Sequence, residues 1–296
     1  MTFTEDPEIN TIAEDAEKKR FVYESANYRY ICDVRLSKSV VKGFAVMFEA
    51  TYLFCRTLPL GMNGGKLDGG KYQIILFEKF DDYVKAGGPP GSAGVFMGRD
   101  GVVMVPLTSL GVKPVGSGYM LDRDQSNKTL PHELTHQVTP DVYFDKGAMG
   151  WFTEGLAEYV ALSPYRAGSY NIRGNQNDII DYVIAYGDKG RGRALGKEIY
   201  LSGLKSFMLQ DYSDFTASGI ANKNYGCSVL ITNYLFHMDG DGDGKRIKAY
   251  LKALHEGKDA EKSLEILLDG RTFEKLQEDL SKAWRSKGIE FTFGKK

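Results

Sequence analysis

Residues 129–140 read TLPHELTHQVTP, and residues 151–159 read WFTEGLAEY. The first stretch holds His132-Glu133-Leu134-Thr135-His136, which uses two of only four histidines in the chain. At this composition the pattern would arise by chance roughly 0.003 times per chain, so it carries information. On a helix, positions i and i+4 lie on one face. Two imidazoles at that spacing can point at one metal ion, which zinc accepts at roughly 2.0–2.1 Å. Glu133 sits about 100° around the helix from His132, beside such a metal rather than on it. It is placed to take a proton from a metal-bound water. The flanking residues predict a helix over 130–138: Thr129 can cap it, Pro131 suits its first turn and Pro140 ends it.

Two histidines do not complete a catalytic zinc site, which normally has three protein ligands and one open position. A third histidine six positions after His136 would stand at Val142, and the glycine that goes with it at Thr139. Neither is present. A glutamate on a following helix is the alternative, and WFTEGLAEY supplies Glu154, 18 positions after His136.

Outward from these stretches the chain changes character. Residues 1–20 are acidic and polar and read as a tail. FVYESANYRYICDV, residues 21–34, alternates as a strand does, and residues 37–58 carry apolar groups at helical spacing. KYQIILF, residues 71–77, predicts a second strand, followed by a short helix at 80–85 and a Gly/Pro loop at 87–91. Two extended runs, 94–97 and 102–106, flank Gly98-Arg99-Asp100-Gly101, a hairpin signal. Beyond about 129 the expected helices are 130–138, 151–162, 177–186, 195–209, 225–238, 245–255, 259–268 and 273–287. The expectation is an α+β fold. Its parts are a tail over 1–20, an α/β lobe with a small mixed sheet over 21–140, and a mostly helical lobe over 141–296 that carries Glu154. No linker divides the lobes, so they read as one functional unit.

HELTH and WFTEGLAEY at this separation resemble the gluzincin metallopeptidases, the clan of thermolysin-like and aminopeptidase-N-like enzymes. The pattern-level likeness covers 21–290, and the specific part is 129–160. Thr153 stands where the clan commonly has Asn. The resemblance implies one zinc held by His132, His136 and Glu154 on a zincin-type active-site helix, with Glu133 as general base. It also implies a carboxylate that accepts the second N–H of a ligand histidine. Glu158 is the candidate for that role toward His132; its alternative is a surface glutamate. An oxyanion donor is expected as well. The clan's tyrosine is matched by Tyr225, expected to open a helix, with Tyr234, Tyr212 and Tyr143 as competitors. An edge strand at Gly94, Val95 and Phe96, or at 102–106, would hold an extended substrate by strand addition. Its alternative is an ordinary hairpin covered by the helical lobe.

The remaining features narrow the classes. The chain has 296 residues, 42% of them hydrophobic, which excludes disorder as its main state. With 38 Lys+Arg against 39 Asp+Glu, bulk electrostatic binding of nucleic acid is excluded. No apolar run approaches the ~18–20 residues of a membrane span. Three cysteines, Cys32, Cys55 and Cys227, exclude a disulfide-dense scaffold. The first twenty residues lack signal-peptide character, and an exported protein whose signal is absent from this chain is preferred to a cytoplasmic one. Asp239 to Gly244 (DGDGDG) matches the start of a Ca2+ loop, but Tyr250 stands where its bidentate glutamate belongs, so a helix–helix turn is the preferred reading. His237 and His255 read as structural. Residues 187–196 (GDKGRGRALG) read as a loop near the cleft, where Arg191 and Arg193 could meet an acidic substrate.

The expected activity is hydrolysis of a peptide bond in a protein, peptide or glycopeptide substrate. The clan's exopeptidase motif Gly-x-Met-Glu-Asn is absent, which favours an endopeptidase. The rival reading is a non-catalytic peptide- or glycoprotein-binding module on the same scaffold.

Overall fold

Tyr28, Tyr30 and Cys32 alternate inward along strand β3 (Tyr28–Cys32) and are fully buried. They meet Phe44 and Phe48 of helix α1 (Lys38–Thr57), whose rings stand edge-on to Tyr28 and Tyr30 at 5.3–5.5 Å. Two periodicities, 2 on the strand and 3.6 on the helix, thus bury one shared aromatic layer. Ser37 caps α1 by accepting from the Val40 N–H. The computed structural model describes residues 7–122, 128–172, 175–185 and 192–294.

The fold is α+β. Its main sheet has six strands: β1 (Asn10–Asp15), β2 (Arg20–Glu24), β3, β4 (Tyr72–Phe77), β5 (Val95–Met97) and β6 (Val102–Pro106). Their order is β1-β2-β3-β4-β6-β5, with β3, β4 and β6 parallel and the outer pairings antiparallel. Helix α2 (Phe80–Lys85) follows β4, and the hairpin β7 (Val112–Val115) and β8 (Gly118–Leu121) follows β6. Helix α3 (Thr129–Val138) carries HELTH. The Gln137 side-chain amide anchors it to the sheet by donating to the Gln73 and Gly101 carbonyls, each at 3.0 Å. The Gly64 N–H bonds the Val138 carbonyl, and Gly65 takes φ +90° where any Cβ would overlap the Gln137 carbonyl.

The chain divides into two compact units. The first holds these elements and the small hairpin β9 (Tyr165–Arg166) and β10 (Ser169–Tyr170), whose Tyr170 ring stacks on Phe54 of α1 at 4.6 Å. The second runs mainly through residues 140–164 and 172–294. It contains α4 (Trp151–Leu162), α5 (Asn175–Ile184), β11 (Glu198–Leu201), α6 (Leu204–Met208), α7 (Tyr212–Phe215), α8 (Ala221–His237), α9 (Lys245–His255), α10 (Ala260–Leu268), α11 (Phe273–Arg285) and β12 (Glu290–Phe293). Helix α4 is buried on nearly every face, as an all-round apolar helix must be. Its Gly155 lets α8 approach closely, because a Cβ there would overlap the Thr232 hydroxyl and the Ser228 carbonyl.

Several expectations need correction. The expected tail contains an edge strand, β1, invisible to hydrophobic patterning because its residues are mostly exposed. Its acids face cations instead: Asp15 is in register with Arg20, and Glu14 pairs with Arg35 at 2.9 Å. The single strand expected over 21–34 is two, β2 and β3, folded back at Ser25, whose N–H bonds the Tyr28 carbonyl. The helix expected over 195–209 is strand β11 and short helix α6; β11 pairs in parallel with β12, some ninety residues downstream. Helix α8 starts at Ala221, so Tyr225 lies inside it and does not open it. Lys128, not Thr129, occupies the cap position of α3. Arg191 and residues 187–190 lie outside the described residues. No helix among the described residues is long and apolar enough to cross a membrane.

Candidate metal centre

Helix α3 presents both imidazoles on one face. His132 and His136 Nε2 are 3.1 Å apart, with ring planes at 83°. His136 is 7% exposed, and its ring lies against Phe96 of β5 at 6.3 Å. A tetrahedral ion with bonds of roughly 2.0–2.1 Å would hold two donor atoms about 3.3 Å apart, so the pair fits one ion. Edge strand β5 runs beside α3. The Phe96 N–H donates to Glu133 Oε2 at 2.8 Å. Because successive residues of a strand turn opposite ways, Phe96 is the position of β5 whose N–H points away from β6. Gly94 precedes the strand, and Val95 pairs with Met104.

Glu154 lies in the first turn of α4 and is 3% exposed. The Gly150 N–H at the start of that helix donates to Thr153 Oγ1 at 3.1 Å. The Tyr212 hydroxyl donates to Glu154 Oε1 at 2.8 Å. The Tyr225 phenol is held well above its ordinary pKa, first by burial and then by the Glu154 carboxylate. It is therefore a neutral donor. One turn on, Glu158 is 5% exposed, so it is not a surface glutamate. Arg193 Nη2 donates to its Oε1 at 2.7 Å. The Arg193 guanidinium also lies over the Tyr225 ring at 4.7 Å and the Tyr182 ring at 5.4 Å. Burial works against the Arg193 charge, but Glu158, Tyr182 and Tyr225 together more than offset it and keep the group protonated. Arg193 is thus held by Glu158 rather than presented to a substrate.

Of the three expected ligands, His132 and His136 belong to the first unit and Glu154 to the second. Two imidazoles and one carboxylate are the chemistry that suits zinc with an open position.

The other candidates sort by their partners. The Tyr143 hydroxyl donates to the Leu60 carbonyl at 2.5 Å, and His255 bonds the same hydroxyl at 2.9 Å. Tyr234 donates to Asp239. His237 bonds the Tyr159 hydroxyl at 2.8 Å. Asp239, first acid of the DGDGDG loop, is buried and takes Arg246 at 3.0 Å and Arg271 at 2.8 Å. Two guanidiniums on that carboxylate oppose a calcium ion there. The Tyr212–Glu154 and Arg193–Glu158 contacts leave no signal in the sequence, because no periodicity links residues 58 or 35 positions apart. No protein-family model matches the chain, and a search of curated proteins returns no match.

Proposed function

We propose that the chain is a zinc-dependent hydrolase that cleaves peptide bonds, held together at His132, His136 and Glu154 as ligands. The observation that carries this reading is the imidazole pair, with Nε2 atoms 3.1 Å apart and Glu133 on the same helix. Zinc, when bound at such a set, lowers the pKa of a water and polarises a carbonyl.

The chain's own residues take the remaining duties. Glu133 accepts a proton at its carboxylate and delivers it to the leaving amine. Its Oε2 is held by the Phe96 N–H, which leaves Oε1 for that transfer. Tyr225 serves as the oxyanion donor. The hydroxyls of Tyr143, Tyr234 and Tyr212 are held by a carbonyl or a carboxylate. The Tyr225 hydroxyl is kept protonated by burial and by the Glu154 carboxylate, so it has a proton to donate. Glu158 orients a ligand histidine. The outward edge at Gly94, Val95 and Phe96 receives an extended protein, peptide or glycopeptide substrate as an added strand, and endopeptidase action follows from the missing exopeptidase motif.

Elemental analysis of the purified native chain, Glu154→Ala and His136→Ala tests the metal set. The expected result is about one zinc per native chain and a clear loss in both variants. A native chain that takes up no zinc when zinc is offered overturns the hydrolase and leaves the non-catalytic binding module as the reading. Profiling with peptide and glycopeptide libraries then identifies the substrate.

A further inference from the structure

Tyr212 sits on the four-residue helix α7 and is 36% exposed, so burial does not account for its place. Its hydroxyl nevertheless reaches a carboxylate that is 3% exposed. Water at that carboxylate is scarce, and a direct donor there is worth more than one at the surface. The ring is aimed by its neighbours. It stacks parallel to Phe215 at 6.3 Å, and Phe215 is buried against Tyr225 at 5.7 Å and Phe207 at 6.0 Å. Phe215 also packs on Gly150, which takes φ +87° at the start of α4; a Cβ there would stand 3.1 Å from the ring. The aromatic group is therefore wedged against the first turn of the helix that carries Glu154.

We propose that Tyr212 is a positioning residue for Glu154: its hydroxyl holds Oε1 and so fixes the orientation in which the carboxylate meets the metal. This rests on the reading of Glu154 as a zinc ligand. A carboxylate with both oxygens loose can turn about its last bond or offer both oxygens to an ion. One held at Oε1 meets the ion already oriented. A phenol suits the task better than a lysine or arginine because it holds the oxygen without cancelling the charge that attracts the cation.

The test is Tyr212→Phe, which keeps the ring and its stack and removes only the hydroxyl. Zinc affinity is measured by chelator competition, the cobalt(II)-loaded chain is examined by visible absorption, and the metal-free chain is unfolded in denaturant. The inference expects zinc affinity to fall about 10–100-fold, the cobalt bands to shift, and the metal-free chain to stay folded with only the modest midpoint loss that removing one donor from a buried carboxylate brings. Phe215→Leu, which loosens the stack but keeps the hydroxyl, should lower affinity less than threefold. Undiminished affinity in Tyr212→Phe overturns the positioning role while leaving the metal site standing. An equal loss in Phe215→Leu assigns the effect to ring packing and also overturns it. A folded native chain that binds no zinc removes the underlying ligand set, and the inference with it.

Discussion

The Phe96 N–H of edge strand β5 donates to Glu133 Oε2 at 2.8 Å, so a backbone group of the sheet holds a side chain of the HELTH helix. A hydrogen bond to an ionised carboxylate is about twice as strong as a neutral one. It also removes rotamer freedom that a general base would otherwise lose on each turnover. The same bond occupies the one outward N–H of β5 at that register. A substrate strand added to this edge must therefore find its backbone partners on either side of Phe96.

Glu133→Gln isolates the proton-accepting role. The amide oxygen can still accept from Phe96, and neither imidazole is touched, so the fold and about one zinc per chain should persist. Turnover of the best library peptide should fall by about 10²–10⁴, because a primary amide cannot take the proton. Zinc content and steady-state rates, measured together, check this. Full activity would remove Glu133 from the mechanism.

Glu158→Gln separates a charge from a shape. The carboxylate pairs with Arg193 at 2.7 Å inside unit two. Removing its charge leaves a buried guanidinium without its counter-ion, which costs roughly 3–5 kcal/mol of stability. If Glu158 also orients a ligand histidine, zinc affinity drops about 10–100-fold. Denaturant unfolding of the metal-free chain and chelator competition read the two effects independently. A stability loss with unaltered affinity would confine Glu158 to the ion pair.

The three thiols should be silent in the native protein. Cys32, Cys55 and Cys227 are free and buried, and burial pushes each up to about 12. At pH 8 roughly one such thiol in ten thousand is ionised. Alkylation counted by mass spectrometry should find no modified cysteine under native conditions and three after unfolding. The linkage has a definite sign. The unfolded thiols ionise near 9, whereas the folded ones resist up to about 12. Stability from these groups is therefore complete below pH 9 and is lost as pH rises from 9 toward 12. A flat unfolding midpoint across that range would contradict the burial.

Local signals in the sequence determined a large share of this protein. Val40, Val41, Phe44 and Phe48 recur at helical spacing, and α1 runs from Lys38 to Thr57 behind its Ser37 cap. Asp100-Gly101 between apolar runs marks the β5–β6 hairpin. His132 and His136 share a helix face because i and i+4 always do, and their Nε2 atoms meet at 3.1 Å. Each of these is set within one or two turns of chain.

Contacts between distant residues were decided by tertiary structure alone. Strand β1 is exposed and acidic, so only its pairing with β2 makes it a strand. Glu198–Leu201 carries the apolar spacing of a helix turn, and it became strand because Glu290–Phe293 lies parallel beside it. Tyr225 was legible as a tyrosine at a suggestive distance, but its place inside α8 was not. Tyr212 on Glu154, Arg193 on Glu158 and Phe96 on Glu133 follow the same rule. A hydrogen bond acts over about 3 Å, and sequence periodicity says which face a residue occupies but not which distant residue the fold brings within that reach.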